Sequence, residues 1–148
     1  MLRKLLAALA VIAVAGCATK YGDPGLLGGV KVTPQDSGIY LVEAGGNGYT
    51  SPARVRAFAL LKAAETTLEN GATHFEIVKA TDKTSRQQLY TSGGVINVRK
   101  PGLELAIALH TGPASEPSVQ LLDAQQVAGK IRPALEDAGA IAKKAETD

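Results

Sequence analysis

Residues 103–110 read Leu-Glu-Leu-Ala-Ile-Ala-Leu-His, with a large apolar side chain at every second position. Because alternate side chains of an extended strand point to opposite faces of a sheet, this spacing predicts a strand with one buried face. The predicted buried side consists of Leu103, Leu105, Ile107 and Leu109. The positions between them, from Glu104 to His110, predict a side turned to water, as in an antiparallel sheet that is covered on one face.

A helix is predicted between residues 51 and 70. Ser51 can accept a hydrogen bond from a free amide at the helix start, and Pro52 fits the first turn. Gly71 is suited to the residue just after a helix, where the backbone often turns to positive φ. Apolar residues at helical spacing predict the side that faces the core. They are Ala57, Leu60, Leu61, Ala64 and Leu68, whereas Arg54, Arg56, Lys62, Glu65 and Glu69 predict a charged side in water.

Three further elements are predicted. Residues 30–33 and 39–44 flank turn-forming residues and predict a hairpin. Residues 73–81 predict a strand with Phe75 and Ile77 inward. Asp123 followed by Gln126 is typical of a helix start, and Val127, Ile131 and Leu135 supply the apolar stripe of that helix. Pro133 is expected to kink this helix or to restart it.

The predicted order is ββαββα, which indicates a small two-layer α+β domain with two helices on one face of a largely antiparallel sheet. A single domain is expected over residues 30–138, followed by a C-terminal tail of residues 139–148. Residues 82–102 are polar, mixed in charge and contain Ser92-Gly93-Gly94. They predict a long mobile connection, in which residues 95–98 could extend a strand.

The N-terminus has the three zones of an export signal. Arg3 and Lys4 are positive, residues 5–14 are apolar, and Ala15-Gly16 are small. The apolar run is about 10 residues, whereas a membrane-spanning helix needs roughly 20. Residues 1–16 are therefore predicted to be a cleaved signal peptide.

The string Val14-Ala15-Gly16-Cys17 resembles the lipobox of bacterial lipoproteins. In that family the cysteine sulfur carries diacylglycerol, the peptidase cuts before the cysteine, and the new amine is acylated. The resemblance implies lipidation of Cys17 and stable attachment to a membrane of the cell envelope. Since Cys17 is the one cysteine of the chain, it cannot form an internal disulfide, and a free thiol would be unusual in an exported protein.

The position after the cysteine bears on the destination. It is Ala18, whereas Asp there is the usual inner-membrane retention signal in the enteric lipoproteins that this chain resembles. We therefore expect the outer membrane, with the domain facing the periplasm. Residues 17–29 are glycine-rich and predict a flexible tether between lipid and domain.

The charge of the mature chain argues against a nucleic-acid partner. Loss of residues 1–16 removes Arg3 and Lys4 and no acidic residue, so the 16 basic residues of the chain fall to 14 and equal its 14 acidic ones. The few aromatic residues are not interleaved with Lys or Arg, as a stacking surface for bases would require. The expected partners are the membrane, through the N-terminal lipid, and a protein or the cell wall of the envelope.

Residues 46–51, Gly-Asn-Gly-Tyr-Thr-Ser, are followed by Leu-Leu-Lys-Ala-Ala-Glu at 60–65 and then by Gly71 and Phe75. With the lipobox, this pattern resembles a family of small alphaproteobacterial lipoproteins of unknown function. The resemblance covers residues 28–81 closely and the later strand and the helix start at Asp123-Ala124 loosely. It departs from the family by Lys62, where Arg is expected, and by the glycine-rich tether. It implies a shared envelope domain and no known activity.

The sequence offers two candidate binding sites and no catalytic motif. Residues 45–48 could bind phosphate before the helix, but they lack P-loop spacing, so a structural turn is favoured. If the strands around residues 74 and 110 pair, their polar faces could form a metal or ligand site. Its residues would be His74, Glu76, Glu104 and His110. We favour a non-catalytic interaction domain without a cofactor, and keep the periplasmic ligand or metal binder as the alternative.

Overall fold

The structure is a computed structural model that describes residues 21–23, 25 and 28–145, with side chains through residue 138. The predicted signal peptide and Cys17 lie outside the described residues. The strands are β1 (Gly29–Pro34), β2 (Ile39–Gly45), β3 (His74–Asp82), β4 (Ser85–Thr91), β5 (Gly94–Lys100), β6 (Gly102–His110) and β7 (Leu121–Asp123). The helices are α1 (Pro52–Glu69) and α2 (Ala124–Ala145), and a 3-10 turn, Asp36–Gly38, joins β1 to β2.

Five strands form one antiparallel sheet in the order β1-β2-β6-β3-β7. The strand predicted from residues 103–110 is β6, which lies in the middle between β2 and β3. Leu105 and Ile107 are buried, whereas Leu103 and Leu109 are partly buried against the same core. The alternation of β6 is therefore confirmed.

Both helices share one core with one face of the sheet. The strands contribute Val42, Phe75 and Ile107 to this core, and the helices contribute Phe58 and Ala128. The other face carries no helix among the described residues. The predicted α+β class, with two helices and a largely antiparallel sheet, is confirmed.

Helix α1 is buried over a wider arc than its pattern of leucines predicts. It contacts both the sheet and α2, so small residues are enclosed as well as large ones. Leu61 and Ala64 are buried as predicted, whereas Leu68 is 38% exposed. The other buried residues are Val55, Phe58, Ala59, Ala63, Thr66 and Thr67. The threonines fit because their hydroxyls can bond within the helix, as Thr67 does to the Ala63 carbonyl at 2.7 Å.

The strand expected over residues 95–98 lies within β5, whereas the rest of the expected connection over residues 82–102 is corrected. This segment contains β4 and β5, which pair as a two-stranded hairpin separate from the five-stranded sheet, in a register that follows on from that of β3 and β6. The register pairs Thr91 with Gly94, and Ser92 and Gly93 form the two-residue turn between them. The Thr91 hydroxyl stabilises this turn by donating to the Gly94 carbonyl at 2.9 Å. We call residues 85–100 the arm.

Helix α2 starts as predicted, with the Asp123 carboxylate accepting from the Gln126 amide at 2.9 Å. It then runs through Pro133 to Ala145 as one helix, so the expected restart at Pro133 and the expected tail from residue 139 are corrected. A proline removes the hydrogen bond to the carbonyl four residues earlier, here Gly129. Since Gly129 is exposed, water can bond that carbonyl instead, and the helix continues.

Candidate functional site

The N-terminal segment, the turn before α1 and the arm meet at one end of the sheet. The register aligns Gly29 of β1 with Gly45 of β2, and Gly45 with Gly102 of β6. An open cleft of about 440 Å³ lies where these strand ends meet the arm. Lys31, Lys83 and Lys100 line it, together with Glu43 and several glycines. We call this region the base cleft.

Tyr21 packs on α1. Its ring lies 5.7 Å from the Phe58 ring, centroid to centroid, and its hydroxyl donates to the Glu65 carboxylate. Burial and the hydrogen bond to Glu65 raise the pKa of the Tyr21 phenol well above its usual value. Glu65 also accepts from Arg132 of α2 at 3.0 Å. This contact ties the N-terminal segment to both helices.

The charged side of α1 is therefore less exposed than the sequence predicts. Glu65 is part-buried beneath Tyr21 and Arg132. Arg54 places its guanidinium carbon 5.3 Å from the centre of the Phe58 ring, within the range of a cation–π contact. Burial lowers the pKa of Arg54. These side chains extend the packed surface between α1 and the N-terminal segment.

The tether predicted over residues 17–29 is corrected for its described part. The Gly22 carbonyl accepts from the Val30 amide at 2.8 Å, and Gly25 and Gly28 exchange hydrogen bonds of 3.0 Å. Gly28 has φ +102°, and a Cβ there would come within 2.4 Å of the Gly45 carbonyl oxygen. The glycines thus allow a close backbone approach to β2. They pack this segment on the domain.

The turn at residues 46–51 is built by Asn47. Its side-chain oxygen accepts from the Tyr49 amide at 3.0 Å and from the Thr50 hydroxyl at 2.9 Å. The Gly46 amide donates to Pro101 before β6, and Ser51 caps α1 by accepting from the Arg54 amide at 3.1 Å. Because these amides bond within the protein, the geometry supports the structural turn over phosphate binding.

The turn also supports the arm. A Cβ on Gly48 would come within 2.7 Å of a methyl group of Val98 in β5. Only the absence of a side chain at residue 48 permits this approach. Val98 is partly buried here, while its neighbours in β5 are exposed. The Gly-Asn-Gly sequence therefore has a packing role at the base of the arm.

The polar sheet face does bring the two histidines together. The strands that carry them pair as expected, with His74 directly opposite His110. His110 Nε2 lies 3.3 Å from a Glu76 carboxylate oxygen, and His74 Nε2 lies 3.9 Å from Asp123. Nδ1 of His74 is 2.8 Å from the Thr73 hydroxyl. Each histidine therefore pairs with its own carboxylate.

Glu104 does not join this group. It lies six positions before His110 on β6, about 20 Å away for a strand rise of 3.3 Å per residue. Its carboxylate pairs with Lys83 at 3.5 Å. Among the described residues no group of three or more His, Cys, Asp or Glu side chains is placed to hold a metal ion. The four residues proposed as a metal site are thus divided between two ends of the sheet.

Sequence patterns did not identify Tyr21, Arg132 or the apolar tip of the arm. Tyr21 is the one large aromatic residue of the glycine-rich segment 18–29, which is a usable signal for packing. Arg132 carried no such signal because its partner, Glu65, is 67 positions away along the chain. The arm residues were obscured by the surrounding polar side chains.

Comparison of the chain with protein-family models, with curated proteins and with solved structures gives no match in any of the three. The resemblance to alphaproteobacterial lipoproteins therefore remains a prediction from the residues. Within the described part of the chain, neither helix combines the length and the apolar character needed to cross a bilayer.

Proposed function

We propose that this protein is a bacterial envelope lipoprotein, held by lipid on Cys17 and carrying a non-catalytic interaction domain in the periplasm. The single observation that carries the proposal is the string Val14-Ala15-Gly16-Cys17 directly after a charged and apolar signal. The outer membrane is the proposed site because Ala18 follows the cysteine.

The position of Tyr21 limits how far the domain can lie from a lipid on Cys17. Tyr21 is bound to α1 and lies only four positions after Cys17. Four residues span at most about 14 Å when extended. A lipid on Cys17 would therefore hold the domain close to the bilayer surface instead of at the end of a long tether.

The decisive test is the intact mass of the protein extracted from membranes, beside a Cys17→Ser variant. We expect a mature mass that begins at acylated Cys17, and an uncleaved precursor in the variant. Ala18→Asp should stay lipidated but move to the inner membrane of an enteric host. Its matched control, Ala18→Ser, should be lipidated and should not move. An unmodified thiol on a soluble product would overturn the proposal.

The non-catalytic role is proposed because the sequence contains no recognisable nucleophile motif, such as Gly-x-Ser-x-Gly. His74 lies between the Thr73 hydroxyl and Asp123, and His110 faces Glu76. Turnover of an ester, amide or glycoside by the purified protein in broad hydrolase screens would contradict this part of the proposal.

A periplasmic ligand or metal binder is the second candidate, favoured by the opposition of His74 and His110 on an uncovered sheet face. Its residues would be the two histidines with Glu76 and Asp123, without Glu104, and a metal would require these side chains to leave their present pairs, since no three of them are placed to hold one in the described structure. Binding to the folded state must raise the melting temperature. A thermal shift with zinc or copper that His74→Ala and His110→Ala both abolish would support it, whereas no shift at millimolar metal would exclude it.

A further inference from the structure

The arm has an apolar tip and a basic base. At the tip, Leu89 pairs with Ile96 and Tyr90 pairs with Val95 across the two strands. All four side chains are exposed, and Tyr90 is 81% exposed. Toward the base the cross-strand pairs are Arg86 with Arg99 and Ser85 with Lys100. The segment 85–100 contains no Asp or Glu.

The apolar side chains occupy both faces of the hairpin at the same level. Side chains alternate between faces along a strand, so Leu89 and Ile96 point to one face, while Tyr90 and Val95 point to the other. A groove in a protein partner would cover one face and leave the other in water. The fluid apolar layer of a bilayer contacts both faces of the hairpin at once, so it can remove both sets of apolar side chains from water.

The charges favour the surface of a membrane that contains anionic lipid. Arg86, Arg99 and Lys100 follow the apolar tip at the depth where phosphate groups would lie. Lys31 and Lys83 in the base cleft face acidic partners, since Lys31 lies opposite Glu43 and Lys83 pairs with Glu104. Asp82 stays negatively charged, because hydrogen bonds to Thr84 lower its pKa, and it lies near Arg86 and Arg99. The net positive charge at the base of the arm therefore comes from Arg86, Arg99 and Lys100. Each lysine or arginine near such a surface strengthens binding about fivefold.

The arm also leaves the domain at the same end as the N-terminal segment. Gly28 and Gly29 line the base cleft together with Ser85 and Lys100. Each strand of the arm has seven residues, which gives a length of about 20 Å at 3.3 Å per residue. Tyr21 lies further back, on α1 between Phe58 and Glu65, so the domain would lie along the bilayer for the lipid on Cys17 and the tip to enter it together.

We infer that the arm is a membrane-binding element, whose tip of Leu89, Tyr90, Val95 and Ile96 enters the interface of an anionic bilayer while its basic base binds lipid phosphates. Amphipathic tyrosine is suited to that depth. The inference rests on the proposed function for its location, since the lipid on Cys17 would keep the arm beside one bilayer. It makes the protein attach at two points, the acyl chains and the arm.

The absence of tryptophan from the chain allows a single-tryptophan test. Tyr90→Trp places the reporter at the tip, and Val78→Trp places a matched control at an exposed position of β3, in the body of the sheet. Each full-length protein, isolated from the membranes of the producing cell, is mixed with vesicles of phosphatidylcholine alone or with phosphatidylglycerol. Both vesicle types carry brominated acyl chains as quenchers.

With phosphatidylglycerol vesicles we expect a blue shift and at least twofold quenching for Tyr90→Trp, and neither for Val78→Trp. Adding Arg86→Gln and Arg99→Gln should weaken the quenching of the Tyr90→Trp protein, as should high salt. Equal emission of Tyr90→Trp with and without vesicles would overturn the inference. So would a blue shift that depends on protein concentration without lipid, because it would assign the tip to a second copy of the chain.

The mass of the same samples separates this inference from the proposed function. Quenching of Tyr90→Trp in a protein with unmodified Cys17 would support the arm and reject the lipoprotein. An acylated protein with an unquenched tip would reject the arm and support the lipoprotein. Leu89→Ser with Ile96→Ser removes apolar area without changing charge, and it should abolish the quenching as well.

Discussion

Tyr21 donates its phenolic hydrogen to Glu65, across 44 positions of sequence, and the same carboxylate accepts from Arg132 on the last helix. The N-terminal segment, α1 and α2 therefore meet at one carboxyl group. This junction lies only a few residues after the proposed lipid attachment at Cys17. Folding of the domain and its position at the membrane would then depend on the same contact.

Tyr21→Phe removes the hydroxyl and keeps the ring against Phe58. Hydrogen bonds to charged groups contribute about 1.5–3 kcal/mol. Since Arg132 still binds Glu65 and the site is half exposed, we expect a loss near the lower end of that range. Urea unfolding measures it. Tyr90→Phe, at an exposed site, is the control and should change stability by less than about 0.5 kcal/mol. Equal losses in both variants would contradict the proposed role of the junction.

The same hydroxyl predicts an alkaline effect. The pKa of Tyr21 is raised in the folded protein because the phenol is partly buried and binds Glu65, whereas an unfolded tyrosine titrates near pH 10. A raised folded pKa gives stability that is complete below the unfolded pKa and is lost as pH rises above it. Stability of the native chain should fall above about pH 10 more steeply than that of Tyr21→Phe. Parallel urea midpoints for the two proteins from pH 9 to 11 would disprove this.

Two leucines of α1 test which side of this helix is buried. Leu61 is 1% exposed and Leu68 is 38% exposed, although the spacing of apolar residues assigns both to the core. Truncating a buried leucine to alanine costs about 2–5 kcal/mol. We expect Leu61→Ala to fall in that range and Leu68→Ala to stay below about 1 kcal/mol, as measured by urea unfolding. Similar losses at the two positions would contradict the packing described for α1.

The contact between Gly48 and Val98 predicts a coupled pair. Gly48→Ala would place a methyl group 2.7 Å from a Val98 methyl, so the arm or the turn must shift. Overpacking of this kind costs about 1–3 kcal/mol, and an exposed arm can relax toward the low end. Val98→Ala in the same chain should recover most of the loss. A double-mutant cycle in urea measures the coupling, and strictly additive losses would show that the two residues do not touch.

Sequence patterns could predict the elements whose signals are local. The alternation of residues 103–110 and the caps at Ser51 and Asp123 depend on neighbours within a few positions, and all three have their predicted structure. Beyond the strand suggested at residues 95–98, the arm has no such signal, because its strands pair with each other and bury neither face, which leaves no alternation of polar and apolar residues to detect.

The residues of the candidate sites also divide into those that a local sequence pattern can predict and those that it cannot. The condition set for the histidines, that the strands carrying them pair, is met, with His74 opposite His110. Glu104 shares their face, but six positions along a strand separate it from His110 by about 20 Å, so a common face does not predict a common site. Contacts of Tyr21 and Arg132 with Glu65 depend on the tertiary fold, so no local pattern could predict them.

Pro133 interrupts the hydrogen bonding of α2 at an exposed position, and its removal should stabilise the protein. Alanine restores the amide that the Gly129 carbonyl lacks, and proline inside a helix is about 3 kcal/mol less favourable than alanine. Because water can bond the exposed Gly129 carbonyl, we expect Pro133→Ala to gain about 1–2 kcal/mol in urea unfolding. Ala134→Gly is the matched control and should lose about 1 kcal/mol if this segment is helical. A loss in Pro133→Ala together with no change in Ala134→Gly would mean that α2 ends before Pro133 and that the continuous helix is wrong.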